Sequence, residues 1–324
     1  MPKPLKIITL GDLHFEALKS LFPKHWKKHV FTMLDQVTSF ANLRGIKTIF
    51  ITGDIFNVSK PAQADLLAFY KYIKQHSELH FIFMLGNHDI QDANTNSLQL
   101  FAGLEIENCK FITEPTVLRI QKHKIVVLPW PHTKLPKGWE GAQLGFAHVI
   151  AENTIADNGR KFTSGERLSK KIFWIIGDLH KNQRSKYWYY PGACLQFNFQ
   201  DDVTRYFAEV TLDHSLHIKE HKLQPTYKLL TKTLTKPSDF AFLDKPNTFW
   251  RIYADAEIDV PSRSNIIMRL PRTKIAKNFS KDVTEGLDKV VVLGQAPKAD
   301  DYLKQQGYKK HERRRLIRKL MELR

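Results

Sequence analysis

Only two cysteines, Cys109 and Cys194, occur in 324 residues. That excludes a disulfide-framed fold and predicts reduced, partly buried thiols in a cytosolic protein. No run approaches the 18 apolar residues of a membrane-spanning helix, so neither insertion nor membrane partners are expected. The apolar stretch after the first residues is too brief for a secretory signal core. There is no internal repeat and no low-complexity tract. Acid is also scarce: 33 Asp and Glu face 50 Lys and Arg, a net charge of +17. Such an excess argues for a polyanionic partner such as nucleic acid, against the plainer alternative of a basic surface serving solubility. With 42% hydrophobic and 26% charged residues the composition is that of a globular protein. The length allows one domain of about 200 residues and a smaller appendage.

What the chain does have is a series of short polar islands, each beside an apolar run. They are GDLH at 11–14, GD at 53–54, GNHD at 86–89, Ala147-His148, and GDLH again at 177–180, followed by YPG at 190–192. The runs LKIITL, TIFIT, FIFML, LGFA and FWII are of the kind that forms strands buried on both faces. Residues just past the ends of such strands line the ligand crevice. Asp12, His14, Asp54, Asn87, His88, His148, Asp178 and His180 are therefore expected to converge on one metal site. Carboxylates, imidazoles and an amide oxygen suit Mn, Fe, Zn or Mg rather than a thiolate-loving ion. One island alone would be an ordinary strand-end turn or cap; five in the same context are more.

Between the islands the chain alternates. Residues 15–29 read as a loop over the site, where Lys24, His25, Trp26, Lys27 and Lys28 could meet a phosphate backbone; a solvated loop with one packed Trp is the competing reading. Val30 to Ala41 recur at helical spacing, with Gly45 placed to cap a helix. A strand at 47–52, a helix at 62–75 and a strand at 80–85 follow. Short strands dominate 110–150, and a polar loop at 151–172 contains SGER at 164–167. Alternating segments continue to residue 222. The Thr- and Lys-rich stretch 223–240 resembles a boundary, and 241–294 fits a small α+β domain. Residues 301–324 carry nine basic and three acidic residues, with Leu316, Ile317, Leu320 and Leu323 on one helical face. This predicts a basic amphipathic helix able to dock on a partner or contact DNA.

The order DxH, GD, GNHD, H, GxxH resembles that of the calcineurin-like metallophosphoesterases, and more narrowly of the SbcD-type nuclease subunits of SbcC-SbcD recombination complexes, bacterial or phage. GDIFNVSKPA at 53–62, SGER at 164–167, GDLHKNQ at 177–183 and YPGACLQFNF at 190–199 carry the narrower likeness, which covers roughly residues 5–225. The resemblance implies an α/β (α+β sandwich) fold with four layers: a metallophosphoesterase domain at 1–222, a small capping or DNA-binding domain at 223–295 and the basic C-terminal helix at 296–324. It implies two divalent ions, Mn2+ first and Mg2+ second. Asp12, His14, Asp54 and His180 would hold one, and Asp54, Asn87, His148 and Asp178 the other, with Asp54 bridging. His88 would protonate the leaving oxygen, and Asp89 would orient His88. Asp178 departs from the family's His, which predicts an altered metal preference. The implied function is a DNA exo/endonuclease in repair, recombination or end processing, acting on duplex ends, hairpins or single strands in the cytoplasm. Its implied partners are an SbcC-like SMC ATPase and a second copy of itself. The alternatives are a non-catalytic DNA-end-binding subunit and a small-molecule phosphodiesterase.

Overall fold

The computed structural model describes residues 4–271 apart from 93–94, 105, 236–239, 255–257, 262 and 264. Eleven strands build two six-stranded sheets, the second completed by an edge pair at Gln183–Arg184. The first sheet holds β1 (Leu5–Leu10), β2 (Thr48–Ile51), β3 (His80–Met84) and β4 (Cys109–Ile112), with β10 (Tyr206–Leu212) and β11 (Leu216–Lys222). Their order is β11-β10-β1-β2-β3-β4, and β1 to β4 run parallel. The second holds β5 (Thr116–Ile120), β6 (His123–Leu128), β7 (Leu144–His148), β8 (Phe173–Gly177) and β9 (Trp188–Tyr190). Here β6, β7, β8 and β9 are parallel neighbours.

The parallel strands are the apolar runs, and their β-branched and aromatic side chains are buried on both faces. Ile7, Phe50, Ile82 and Met84 of the first sheet meet Ile125, Val127, Phe146 and Ile175 of the second. At the centre the Phe50 and Phe146 rings stack at 3.7 Å. Each fully buried aromatic of this kind contributes about 1.5–3 kcal/mol. The other face of the first sheet is covered by α1 (Trp26–Arg44), α2 (Gln63–Gln75) and α3 (Gln99–Gly103). Val30, Met33, Leu34, Val37 and Ala41 form the buried stripe of α1. That helix ends at Gly45, whose φ of 64° lets the Ile46 amide donate back to the Ala41 carbonyl.

The outer face of the second sheet carries a layer of its own. Among the described residues loops cover it, through Leu135, Trp139, Phe162 and Leu168, and no helix does. The reason is local: Pro129, Pro131, Pro136, Gly138 and Gly141 keep 129–143 from sustaining a helix. The polar stretch 151–172 is likewise no plain loop, since Thr154–Ile155 and Lys161–Phe162 pair as a small hairpin.

Two compact units are present. The first comprises Met1–Lys232, Ser238–Ile252 and Pro261–Arg269; the second comprises Thr233–Pro237, Tyr253–Val260 and Leu270–Arg324. Between 223 and 271 the described elements are strands Lys228–Leu234, Thr248–Ala254 and Ile266–Pro271 and a 3-10 turn at Ala241–Asp244. The basic C-terminal helix and residues 272–295 of the expected capping domain lie outside the described residues.

Candidate metal centre

Asp12 follows β1, Asp54 follows β2, Asn87 and His88 follow β3, His148 closes β7 and Asp178 follows β8. Parallel neighbours end at the same edge, so each sheet delivers its polar islands together. The backbone bends sharply there: His14 (φ 42°), Asp54 (φ 48°) and Asp178 (φ 100°) are left-handed without being glycine. Each such residue stores about 1–3 kcal/mol, tolerable only where the surroundings enforce it. The Leu13 and His14 amides both donate to the Asp54 carbonyl, at 3.0 and 2.8 Å. Two glycines are demanded by close approach. A β-carbon on Gly53 would overlap the His148 ring, and one on Gly86 would overlap the Asp54 carboxylate.

Asp54 sits between two donor sets. Its Oδ2 lies 3.5 Å from His14 Nε2, which is 3.1 Å from His180 Nε2. Its Oδ1 lies 3.5 Å from His148 Nε2, which is 2.9 Å from Asn87 Oδ1. His148 Nδ1 is 2.7 Å from the Thr52 carbonyl, an acceptor only, so that nitrogen carries the proton and Nε2 aims inward. Asp12 accepts the Asp178 amide at Oδ1 (2.9 Å), while its buried Oδ2 has no hydrogen-bond partner. Asp12, Asp54 and His148 bring ligand atoms within 4.8 Å of one another, as do His14, Asp54 and His88.

The electrostatics are those of a pocket short of positive charge. Burial, reinforced by Asp54, raises Asp12 to about 8. Burial lowers His14 and His180 and raises Asp178. Burial would also raise Asp54, but His148, His14 and His88 carry it below the ordinary range. His148 goes the other way: burial opposes its charge, yet Asp54, Asp12 and Asp178 raise it to about 10. Positive charge placed here would relieve the buried carboxylates. Divalent ions fit the same need, because inward lone pairs and the orphaned Asp12 oxygen are what such ions bind.

Several expectations need adjusting. Asp89 does not orient His88. It is fully buried and accepts from the amides of Ile55 (3.1 Å), Phe56 (3.0 Å) and Gly86 (3.0 Å) and from Ser97 Oγ (2.9 Å). His88 is exposed; its Nδ1 is 3.0 Å from the Asn57 carbonyl, and its amide donates to Asp54 Oδ1 at 2.9 Å. Asp178 donates its amide to Asp12 Oδ1 at 2.9 Å, and its carboxylate is near enough to raise the His148 imidazole. In the segment expected to overhang the site, Lys24, His25 and Lys28 are exposed, but Trp26 is buried edge-on against Phe15 at 5.0 Å and opens α1. Lys27 pairs with Asp65 at 2.9 Å. Trp26 is thus core, unavailable to a phosphate chain.

Sequence reading missed the surroundings of His180. Asp157, on the hairpin, lies 4.0 Å from His180 Nδ1. Buried Asp201 pairs with Arg205 at 3.3 Å, and Arg205 donates to the His180 carbonyl at 2.8 Å. No local pattern marks these residues, because only tertiary folding brings them to the ring.

One family model covers part of this site. Residues 5–144 match the family model of the calcineurin-like phosphoesterases, a span that includes Asp12, His14, Asp54, Asn87 and His88. No curated protein sequence matches the chain. Among solved structures, a novel archaeal phosphodiesterase is similar at 13% identity over 67% of this chain and 99% of its own, with a TM-score of 0.34. A predicted phosphoesterase from Streptococcus pneumoniae TIGR4 is similar at 12% identity over 69% and 95%, with a TM-score of 0.33. The ordered polar islands and the sandwich that gathers them thus stand in a chain whose residues 5–144 are similar to the calcineurin-like phosphoesterases.

Proposed function

We propose that the chain is a metal-dependent DNA nuclease, hydrolysing phosphodiester bonds at DNA ends, hairpins or single strands. The observation that carries this reading is the Asp54 carboxylate, whose two oxygens face separate sets of inward-aimed donors. His14, His180, Asp54 and Asp12 would hold one divalent ion, and His148, Asn87, Asp54 and Asp178 the other. Bound there, the ions would supply Lewis acidity toward a phosphoryl oxygen and make water acidic enough to attack at neutral pH. The protein's own part is orientation and proton transfer. The Thr52 carbonyl holds the His148 ring in one tautomer, and the Asn57 carbonyl holds His88 Nδ1, leaving His88 Nε2 at the mouth to protonate the leaving oxygen.

The preference for DNA over a small diester rests on the +17 charge. An SMC-type ATPase partner, a homodimer and Mn2+ belong to the same reading on the strength of the sequence resemblance. The test is cleavage of labelled duplex and single-stranded DNA with Mn2+ or Mg2+, beside hydrolysis of bis-p-nitrophenyl phosphate. Wild-type protein should cut DNA and lose activity in chelator. His88→Ala should slow cleavage about 10²- to 10⁴-fold with metal affinity intact. Rapid turnover of the small diester with no cleavage of any DNA would replace this reading by the small-molecule phosphodiesterase.

A further inference from the structure

The outer face of the second sheet holds a cavity of about 520 Å³ that the metal chemistry does not use. Trp174, Tyr187 and Trp188 give it an aromatic lining, and Lys170, Arg184 and Lys186 stand around it. Both lysine ammonium groups lie 5.4 Å from the Tyr187 ring centroid, so one ring positions two cations. The turn behind them is fixed: Ser185 Oγ accepts from the amides of Tyr187 (3.1 Å) and Trp188 (3.2 Å), and the Ser185 amide donates to the Trp188 carbonyl (2.8 Å). Two acids also line the cavity, but Glu152 is engaged by Arg167 at 3.5 Å. The balance stays positive.

A second cavity of about 320 Å³ lies between this one and Asp178. Glu166 lines both, and Asp178 lines the second. The SGER segment is the divider: Ser164 and Gly165 face the cavity at Asp178, Arg167 faces the basic one, and Glu166 faces both. A flat apolar surface beside clustered cations is what a nucleotide unit needs, the base stacking on the rings and the phosphate taking charge-assisted hydrogen bonds.

We propose that the basic aromatic cavity is a subsite for one nucleotide of a single strand whose scissile phosphate lies at the metal centre. Lys170, Lys186 and Arg184 hold the phosphate, and the base lies against Tyr187 and Trp188. The inference rests on the nucleic-acid reading above and deepens it.

The test is binding of labelled oligothymidine to the full chain in a non-catalytic cation, comparing wild type with Lys170→Glu/Lys186→Glu. Both lysines are exposed, so the fold should survive. The double variant should lose about tenfold or more in affinity and flatten the salt dependence by about 0.7 in log-log slope per lysine, with hydrolysis of bis-p-nitrophenyl phosphate unchanged. If wild type binds and cuts the oligonucleotide and the variant does so equally well, the subsite is refuted while the nuclease reading stands. If wild type hydrolyses the small diester but neither binds nor cuts the oligonucleotide, both fall. Thymidine monophosphate binding more tightly than the oligonucleotide would reassign the cavity to a free nucleotide.

Discussion

Asp89 and His88 are neighbours in sequence with unrelated duties. His88 faces solvent at the mouth of the centre, whereas Asp89 points inward and gathers three backbone amides and a hydroxyl. Replacing Asp89 by Ala strands those donors in a buried place, at a cost on the order of 3 kcal/mol. Asp89→Ala should therefore melt well below wild type even with metal saturating; an unchanged melting temperature would show that the carboxylate is dispensable. Residue types were legible here and roles only partly so. The candidate ligands Asp12, His14, Asp54, Asn87, His148 and His180 could be named from their strand-end positions. The partner of Asp89 could not, because the amides of Ile55 and Phe56 come to it only once the turn after β2 folds across the turn after β3.

At the scale of elements, runs with strong periodicity or continuous apolarity announced themselves. The strands β1, β2 and β3 and the helix α2 fall where the pattern places them. The start of α1 was hidden, because His25, Lys27, Lys28 and His29 obscure the single apolar anchor, Trp26. The two-residue strands of the hairpin are too short to leave any period. Glycine gives the sharpest test at this scale, since two of them act in opposite ways. Gly86→Ala drives a methyl group into Asp54 and should weaken metal binding at least tenfold by calorimetry. Gly45→Ala has open space around it, but its left-handed φ remains unfavourable. It should lower stability by about 1 kcal/mol and leave metal binding alone. Equal metal affinity in both variants would refute the steric account of Gly86.

Across the whole molecule, charge and layering were legible to different depths. The +17 excess is plain in the composition, but its local concentration around Tyr187 depends on which turn folds beside which strand. The loop-built cover of the second sheet was missed for a related reason: Pro and Gly forbid a helix in 129–143, yet nothing local says what replaces it. The donors also come from both sheets, with Asp12, His14, Asp54, Asn87 and His88 beyond the first and His148, Asp178 and His180 beyond the second. An ion bound between Asp54 and His148 would act as a rivet through the laminate, joining layers that meet at their centre through greasy contact such as that of Phe50 with Phe146. Ligand at 100 times its dissociation constant adds about 2.7 kcal/mol to stability. Hydrogen-deuterium exchange should register that gain as slower amide opening at the ends of β2 and β7 together, reversed by chelator; protection confined to one sheet would mean that the seam is not bridged.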